Sequence, residues 1–162
     1  LLLVAAGTLL VLQVRRPRPA SPLVGLSLPP LSASGWLNTP TSLSASDVVG
    51  KVVLVDFWSS DCGPCVRDLP ELAEFYGRFR DQGLMVVGLT PESNAFGQLQ
   101  RFVKGVEGFE WPVGYGAAFS FEAMGIAFTP TYVLFDRSGR SVWAGSSLDG
   151  VEDAAVRALA RN

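Results

Sequence analysis

Val52-Val53-Leu54-Val55-Asp56-Phe57-Trp58-Ser59-Ser60-Asp61-Cys62-Gly63-Pro64-Cys65 decides the reading of this chain. It opens as a run of β-branched and apolar residues long enough for a buried strand. It closes on Cys-Gly-Pro-Cys, and an apolar-periodic helix follows. A strand, a short turn and a dithiol at a helix start form a redox arrangement. The chain has two cysteines in all, and they are these two.

The chemistry requires that placement. Disulfide exchange needs a thiolate, and a free cysteine is mostly protonated at neutral pH. Unpaired N–H groups at a helix N-terminus stabilise an anion there. They can lower a cysteine pKa from about 8.5 to about 7 or below. Cys62 is therefore read as the nucleophile. Cys65, one turn further in and less exposed, is read as the thiol that resolves the mixed disulfide. Pro64 suits the first helical turn, where its missing N–H has no partner to lose.

At 162 residues the chain accommodates one domain and an appendage. Net charge is −2, which gives no electrostatic footprint for nucleic acid. There is no histidine, so His-ligated zinc, copper or haem and a Cys-His or Ser-His catalytic pair are excluded. Two cysteines alone make no closed zinc site. No cofactor is expected beyond the Cys62–Cys65 pair, and no metal.

The chain begins without methionine inside an apolar run, Leu1 to Val14. This run reads as the surviving part of a signal-anchor helix or uncleaved signal segment; the alternative is a buried globular helix. At 1.5 Å per residue it covers roughly 21 Å, short of the ~30 Å hydrocarbon core, so residues are expected ahead of it. Arg15-Arg16-Pro17-Arg18-Pro19 follows at once. These arginines favour the cytoplasmic side, against an extracytoplasmic domain, unless charges ahead of Leu1 decide otherwise. Residues 15–22 read as an extended Pro/Arg linker, and residues 23–162 as the folded domain.

Leu26–Leu28 and Thr41–Leu43 read as short extended pieces of an N-terminal hairpin, and Ser46–Gly50 as a capped turn. Val52–Trp58 is the central strand. The helix Pro64–Arg80 places Val66, Leu69, Leu72, Ala73 and Tyr76 on one face, with Pro70 as a kink. Leu84–Leu89 is a second buried strand. A helix over Ala95–Lys104 turns Leu99, Phe102 and Val103 inward. Trp111–Val113 reads as a short strand and Ala117–Met124 as a short helix. Thr131–Phe135, a turn at Asp136–Arg140, and Ser141–Ala144 make a hairpin. Asp149 caps a last helix with Val151, Ala154, Ala155, Ala158 and Leu159 inward. The pattern predicts an α/β fold, a mixed central sheet flanked by helices.

On these residues the chain resembles thioredoxin-like proteins, specifically the membrane-anchored TlpA/ResA-type thiol-disulfide oxidoreductases, over roughly Leu23 to Leu159. Gly50-Lys51-Val52 through Trp58, leading into Cys62–Cys65, is similar to that family's signature. So is Phe128-Thr129-Pro130-Thr131-Tyr132-Val133-Leu134-Phe135-Asp136. The longer segment between the second strand and Pro130 resembles the family's extra helix and strand. Pro70 falls where the family kinks its active-site helix.

The resemblance implies roles for several positions. Pro130 matches the family's cis-proline facing the dithiol, which leaves the Thr129 backbone free to pair with a substrate strand beside Cys62; the alternative is an ordinary trans proline. With Gly63, Pro64, Trp58 and Asp61 these make the expected substrate-binding set. Asp56 stands where thioredoxins carry a buried carboxylate. There it would have a raised pKa and move a proton to or from Cys65; the alternative is a strand-edge aspartate in water. Trp58 would shield the dithiol, or simply pack in the core. Asp61 departs from the family's usual tryptophan. A carboxylate there disfavours the Cys62 thiolate and makes the pair more reducing; the alternative is a solvated turn residue of little effect. Phe119, Phe121 and Phe128 read as core, with an apolar docking groove as the second reading.

The function expected is an extracytoplasmic thiol-disulfide oxidoreductase on a membrane anchor. It would pass electrons from a membrane thiol reductant to disulfides of exported proteins such as apocytochrome c. An accessory thioredoxin-like subunit of a membrane complex is the alternative. A peroxiredoxin-like peroxidase is a minor one, since Ser59 only partly matches the Thr-x-x-Cys pattern of such enzymes.

Overall fold

A computed structural model describes residues 21–93 and 96–161, apart from the side chain of Ala45. The expected anchor 1–14, most of the linker and the start of the helix expected from Ala95 lie outside them. Among the described residues no helix is long and apolar enough to cross a membrane.

Six strands form one mixed sheet: β1 (Gly35–Leu37), β2 (Val52–Phe57), β3 (Leu84–Thr90), β4 (Val113–Tyr115), β5 (Thr131–Phe135) and β6 (Ser141–Gly145). Their spatial order is β1-β4-β3-β2-β5-β6. β2 runs parallel to β3, and β3 parallel to β4. β5 is antiparallel to β2, β6 to β5, and β1 to β4. The helices are α1 (Ala45–Val48), α2 (Gly63–Phe79), α3 (Phe96–Gly105), α4 (Ala118–Met124) and α5 (Val151–Leu159).

β2 is buried at all six positions, which is why it reads as an unbroken apolar run. Its alternating side chains feed two cores. Val52, Leu54 and Trp58 pack with α2, α3 and α5, through Leu69, Leu72, Leu99, Val103, Val151 and Ala155. Val53, Val55 and Phe57 pack with α4 and the N-terminal segment, through Met124, Leu28, Leu31 and Val48.

Four expectations need correction. No hairpin joins Leu26–Leu28 to Thr41–Leu43. Ser27 instead bridges Arg140, the Gly25 and Leu26 N–H groups donate to Ser141, and the first true strand is Gly35–Leu37. The strand placed at Trp111–Val113 begins two residues later, because Trp111 turns wholly into the core. The buried stripe of α2 is Cys65, Leu69, Leu72, Phe75 and Phe79; Val66, Ala73 and Tyr76 flank it half-buried. Asp149 does not cap α5. The cap position is Gly150 at φ 83°, a left-handed conformation suited to glycine, and Asp149 accepts from the Ser147 hydroxyl at 2.9 Å. Pro70 lies within α2, which continues through it.

Leu72 is fully buried between α2 and the sheet. Leu72→Ala should lower the unfolding free energy by about 2–5 kcal/mol in a urea titration. Val66→Ala, on the half-buried flank, should cost about 1 kcal/mol or less.

Candidate active site at the start of helix α2

β2 and β3 are parallel neighbours, so the loops leaving their C-terminal ends meet at one edge of the sheet. The loop after β2 carries Ser59, Ser60, Asp61 and Cys62. The loop after β3 carries Pro91, Glu92 and Ser93. Glu92 ties them together. Its carboxylate accepts from the Ser60 N–H at 2.9 Å, the Ser60 hydroxyl at 2.6 Å and the Thr90 hydroxyl at 2.8 Å. Thus the turn that presents Cys62 is fixed by an acid from the loop that follows the neighbouring strand. No motif in the sequence marked Glu92.

Cys62 is the N-cap of α2, in extended backbone conformation, and Gly63 and Pro64 open the helix. Cys62 and Cys65 form a disulfide with an S–S distance of 2.04 Å. Cys62 is half-buried and Cys65 is 2% exposed. The Cys65 N–H lies 3.2 Å from Cys62 Sγ, so the helix start directs a backbone donor at the outer sulfur. Such a donor favours a thiolate there once the pair is reduced.

Asp56 is 1% exposed on β2. Alternation along the strand aims it at the α2 side, with Leu54 and Trp58. Its Oδ1 is buried without a hydrogen-bond partner among the described residues. Burial first, and then the charge of Asp68, pushes its carboxyl well above the usual carboxylate range. The strand-edge alternative is thereby removed. Asp68, on α2, accepts from the Tyr132 hydroxyl at 3.0 Å. Burial, then the nearby Asp56 and Asp68, drives the Tyr132 hydroxyl far upward, so it remains a donor. Asp68 and Tyr132 were not singled out in the sequence; both need the register that sets Tyr132 opposite Asp56.

Trp58 is fully buried, stacked on Phe102 at 5.7 Å and tilted against Phe109 at 5.5 Å. It is core. Gly88, opposite Asp56, permits this packing: a Cβ there would stand 3.0 Å from Trp58 Nε1 and 3.4 Å from Trp111 Nε1.

The Thr129–Pro130 peptide bond is cis. Pro130 is buried and Thr129 half-buried. β5 pairs with β2 only as far as Thr131 opposite Phe57, so Thr129 lies beyond the paired ladder. No hydrogen bond engages the Thr129 N–H or C=O among the described residues. Thr129 lines a groove of about 480 Å³ with Ser59, Asp61, Pro91, Glu92, Phe121, Ile126, Ala127 and Phe128. Phe128 is 62% exposed and Phe119 61%, which corrects their assignment to the core. Phe121 alone of the three packs inward, edge-on to Phe57 at 5.0 Å. Asp61 is exposed and accepts from the Ser59 hydroxyl at 2.5 Å. The structure thus brings Asp61 and Thr129 to one groove next to Cys62. Asp56 lies apart from that groove, beneath the sheet-facing side of α2.

Comparison with known proteins agrees with this geometry. The family model described as Redoxin matches residues 23–155. The thiol-disulfide oxidoreductase ResA of Halalkalibacterium halodurans is 28% identical over 102 residues, covering 62% of this chain and 57% of that protein. Protein DipZ of Mycobacterium tuberculosis is 44% identical over 62 residues, 36% of this chain and 9% of that protein. The chain therefore spans a small part of DipZ and little more than half of ResA. The crystal structure of a putative thiol:disulfide interchange protein DsbE from Chlorobium tepidum superposes with a TM-score of 0.73 at 25% identity. That match covers 84% of this chain and 97% of that one. A half-buried cysteine at a helix N-terminus, a buried partner thiol and a cis-proline at the groove are thus held in a fold shared with these proteins. The chain belongs to the Redoxin family, and within it is similar to thiol-disulfide oxidoreductases of the ResA and DsbE kind.

Proposed function

We propose that the chain reduces disulfides of exported proteins, apocytochrome c among them, outside the cytoplasm, held to the membrane by its N-terminal segment and recharged by a membrane thiol reductant. The observation that carries the catalytic part is the cap of α2, with one sulfur accessible, one buried and a backbone donor aimed at the first. The apolar run Leu1–Val14 supports the location, as does the likeness to ResA.

In the reduced chain the Cys62 thiolate attacks one sulfur of a client disulfide. The client S–S bond breaks, its other sulfur leaves as a thiolate and takes a proton from solvent. The client segment lies extended against Thr129, whose unengaged N–H and C=O can pair with it. Its side chains meet Phe128 and Ile126. Asp56 first loses its proton to solvent; its carboxylate then takes the Cys65 proton, and Cys65 attacks Cys62 Sγ. The Cys62–client bond breaks, and the second client sulfur leaves as a thiolate that takes a proton from solvent. Two electrons have moved, and the chain is left with the Cys62–Cys65 disulfide seen here. The membrane reductant returns those electrons. Gly63 and Pro64 hold Cys62 at the helix tip, and Asp61 opposes build-up of the Cys62 thiolate, which biases the pair toward giving electrons away. A peroxidase reading finds no support in Ser59, whose hydroxyl is turned to Asp61.

Equilibration of the pair with defined dithiol buffers, read by alkylation and mass spectrometry, tests the direction. The potential should fall near the thioredoxin value of about −270 mV rather than the DsbA value of about −120 mV; a value near the latter would reverse the reading. Asp61→Asn should raise it by on the order of 10–30 mV, since the reduced form gains a better-tolerated thiolate. Cys65→Ser should accumulate a mixed disulfide between Cys62 and a client peptide, and Cys62→Ser should accumulate none.

Asp56 makes stability depend on pH. The folded state holds its proton to a higher pH than the unfolded chain, whose carboxyl ionises near 3.8. Stability from this group is complete below that value and is lost as pH rises through the folded pKa. Asp56→Asn should abolish the loss. In urea titrations of the oxidised chain the variant should match wild type near pH 4. Above that it should exceed wild type by about 1.4 kcal/mol for each pH unit, until the folded carboxyl itself ionises. The same variant should release client from the mixed disulfide on the order of 100-fold more slowly.

A further inference from the structure

The groove beside Cys62 is lined from two sources. Ser59, Asp61, Pro91 and Glu92 come from the loops after β2 and β3; Phe121 and residues 126–129 come from α4 and the loop ahead of β5. The first source brings two carboxylates and the second is mostly apolar. No lysine or arginine lines the groove among the described residues. Neither carboxylate is neutralised where it stands. Glu92 is held by an N–H and two hydroxyls, all neutral donors. Asp61 is exposed and accepts from the Ser59 hydroxyl through Oδ1, while its Oδ2 has no hydrogen-bond partner among the described residues. The ion pairs among those residues, Arg78–Glu152 and Arg80–Glu110, involve neither acid. Arg67 reaches back to Gly63 at the helix tip, where a Cβ would stand 3.5 Å from its Nη1, but it forms no ion pair with Asp61 or Glu92.

The place of Asp61 makes this charge relevant to the reaction. It directly precedes Cys62, so the two Cα atoms stand about 3.8 Å apart. A client segment bonded to Cys62 and lying extended along Thr129 advances about 3.3 Å per residue and turns alternate side chains to one face. The residues two before and two after its cysteine therefore face the protein on the same side as that cysteine. An acidic side chain there would meet like charge, and a basic one would meet an acid with an oxygen to spare. Complementary charge of this kind acts on the choice of partner more than on total affinity.

We propose that Asp61, reinforced by the charge of Glu92, selects extended client segments that carry a lysine or arginine two residues from the attacked cysteine. The selection rests on the reading of this groove as the client site, and it is independent of the direction in which the dithiol works.

The test uses the full chain, reduced and freed of reductant, and a set of single-cysteine peptides. The peptides differ only at the second residue before and the second after the cysteine, where they carry Lys, Gln or Glu. Each holds its cysteine in a mixed disulfide with nitrothiophenol. The Cys62 thiolate attacks the peptide sulfur, and nitrothiophenolate leaves with the electron pair and is followed by its absorbance. Cys65 then displaces the peptide thiolate, which takes a proton from solvent. Each second-order rate is divided by that of mercaptoethanol with the same peptide, which removes the peptide's own reactivity. At low salt the Lys peptide should react about threefold faster than the Gln peptide and the Glu peptide about threefold slower, a span of about tenfold. Salt at about 0.5 M should shrink the span to about twofold. Asp61→Asn should narrow it to about threefold, and Asp61→Lys should invert the order. The Gln peptide serves as reference within each variant, so a change in the thiol itself cancels. A low-salt span below about twofold, or a span in Asp61→Asn equal to that of wild type, would overturn the selection while leaving the groove as the client site. Peptides that all react no faster with the chain than with mercaptoethanol would overturn the groove reading and the selection with it.

Discussion

Val52–Phe57 pairs with β3 on one side and β5 on the other and is covered on both faces, so none of its side chains reaches water. That double burial sets the conditions for the chemistry. An apolar strand can be accommodated there at every position, but a carboxyl can enter only by keeping its proton or by finding a partner. Asp56 holds its proton to a higher pH than a solvated carboxyl does. The strand's C-terminal end is where the chain leaves this dry environment, and Cys62 stands four residues beyond Trp58, at the boundary.

Two electrostatic influences of opposite sign meet at that boundary. The N-terminus of α2 favours negative charge on Cys62, through the Cys65 N–H and the dipole of the helix. Asp61 and Glu92 add negative charge close by, and Glu92 does so while fixing the loop in place. The helix end acts at contact distance through directed N–H groups. Exposed Asp61 acts through solvent and is screened. The helix therefore dominates the ionisation of Cys62, and the carboxylates temper it.

Beside Cys62 the surface offers a backbone at Thr129 that no hydrogen bond engages among the described residues, and exposed aromatic carbon at Phe128. Behind this surface the sheet separates two cores, one packed with α2, α3 and α5 and the other with α4 and the N-terminal segment.

By itself the sequence determined the central strand, the dithiol at a helix start and the order of the elements, because these depend on short-range pattern: continuous apolar runs, a 3.6-residue period and a Cys-x-x-Cys spacing. It misplaced elements where pattern is weak. Gly35–Leu37 is three residues long and is a strand only because β4 pairs with it. Trp111 looked like strand but serves as core for α2 and the sheet. Phe119 and Phe128 looked like core, since an aromatic residue's hydrophobicity does not say which way a loop faces. Glu92, Asp68 and Tyr132 could be found only in three dimensions. Each acts on a residue 30 or more positions away or across a strand register, and such contacts are set by sheet pairing, which leaves no local mark in the chain.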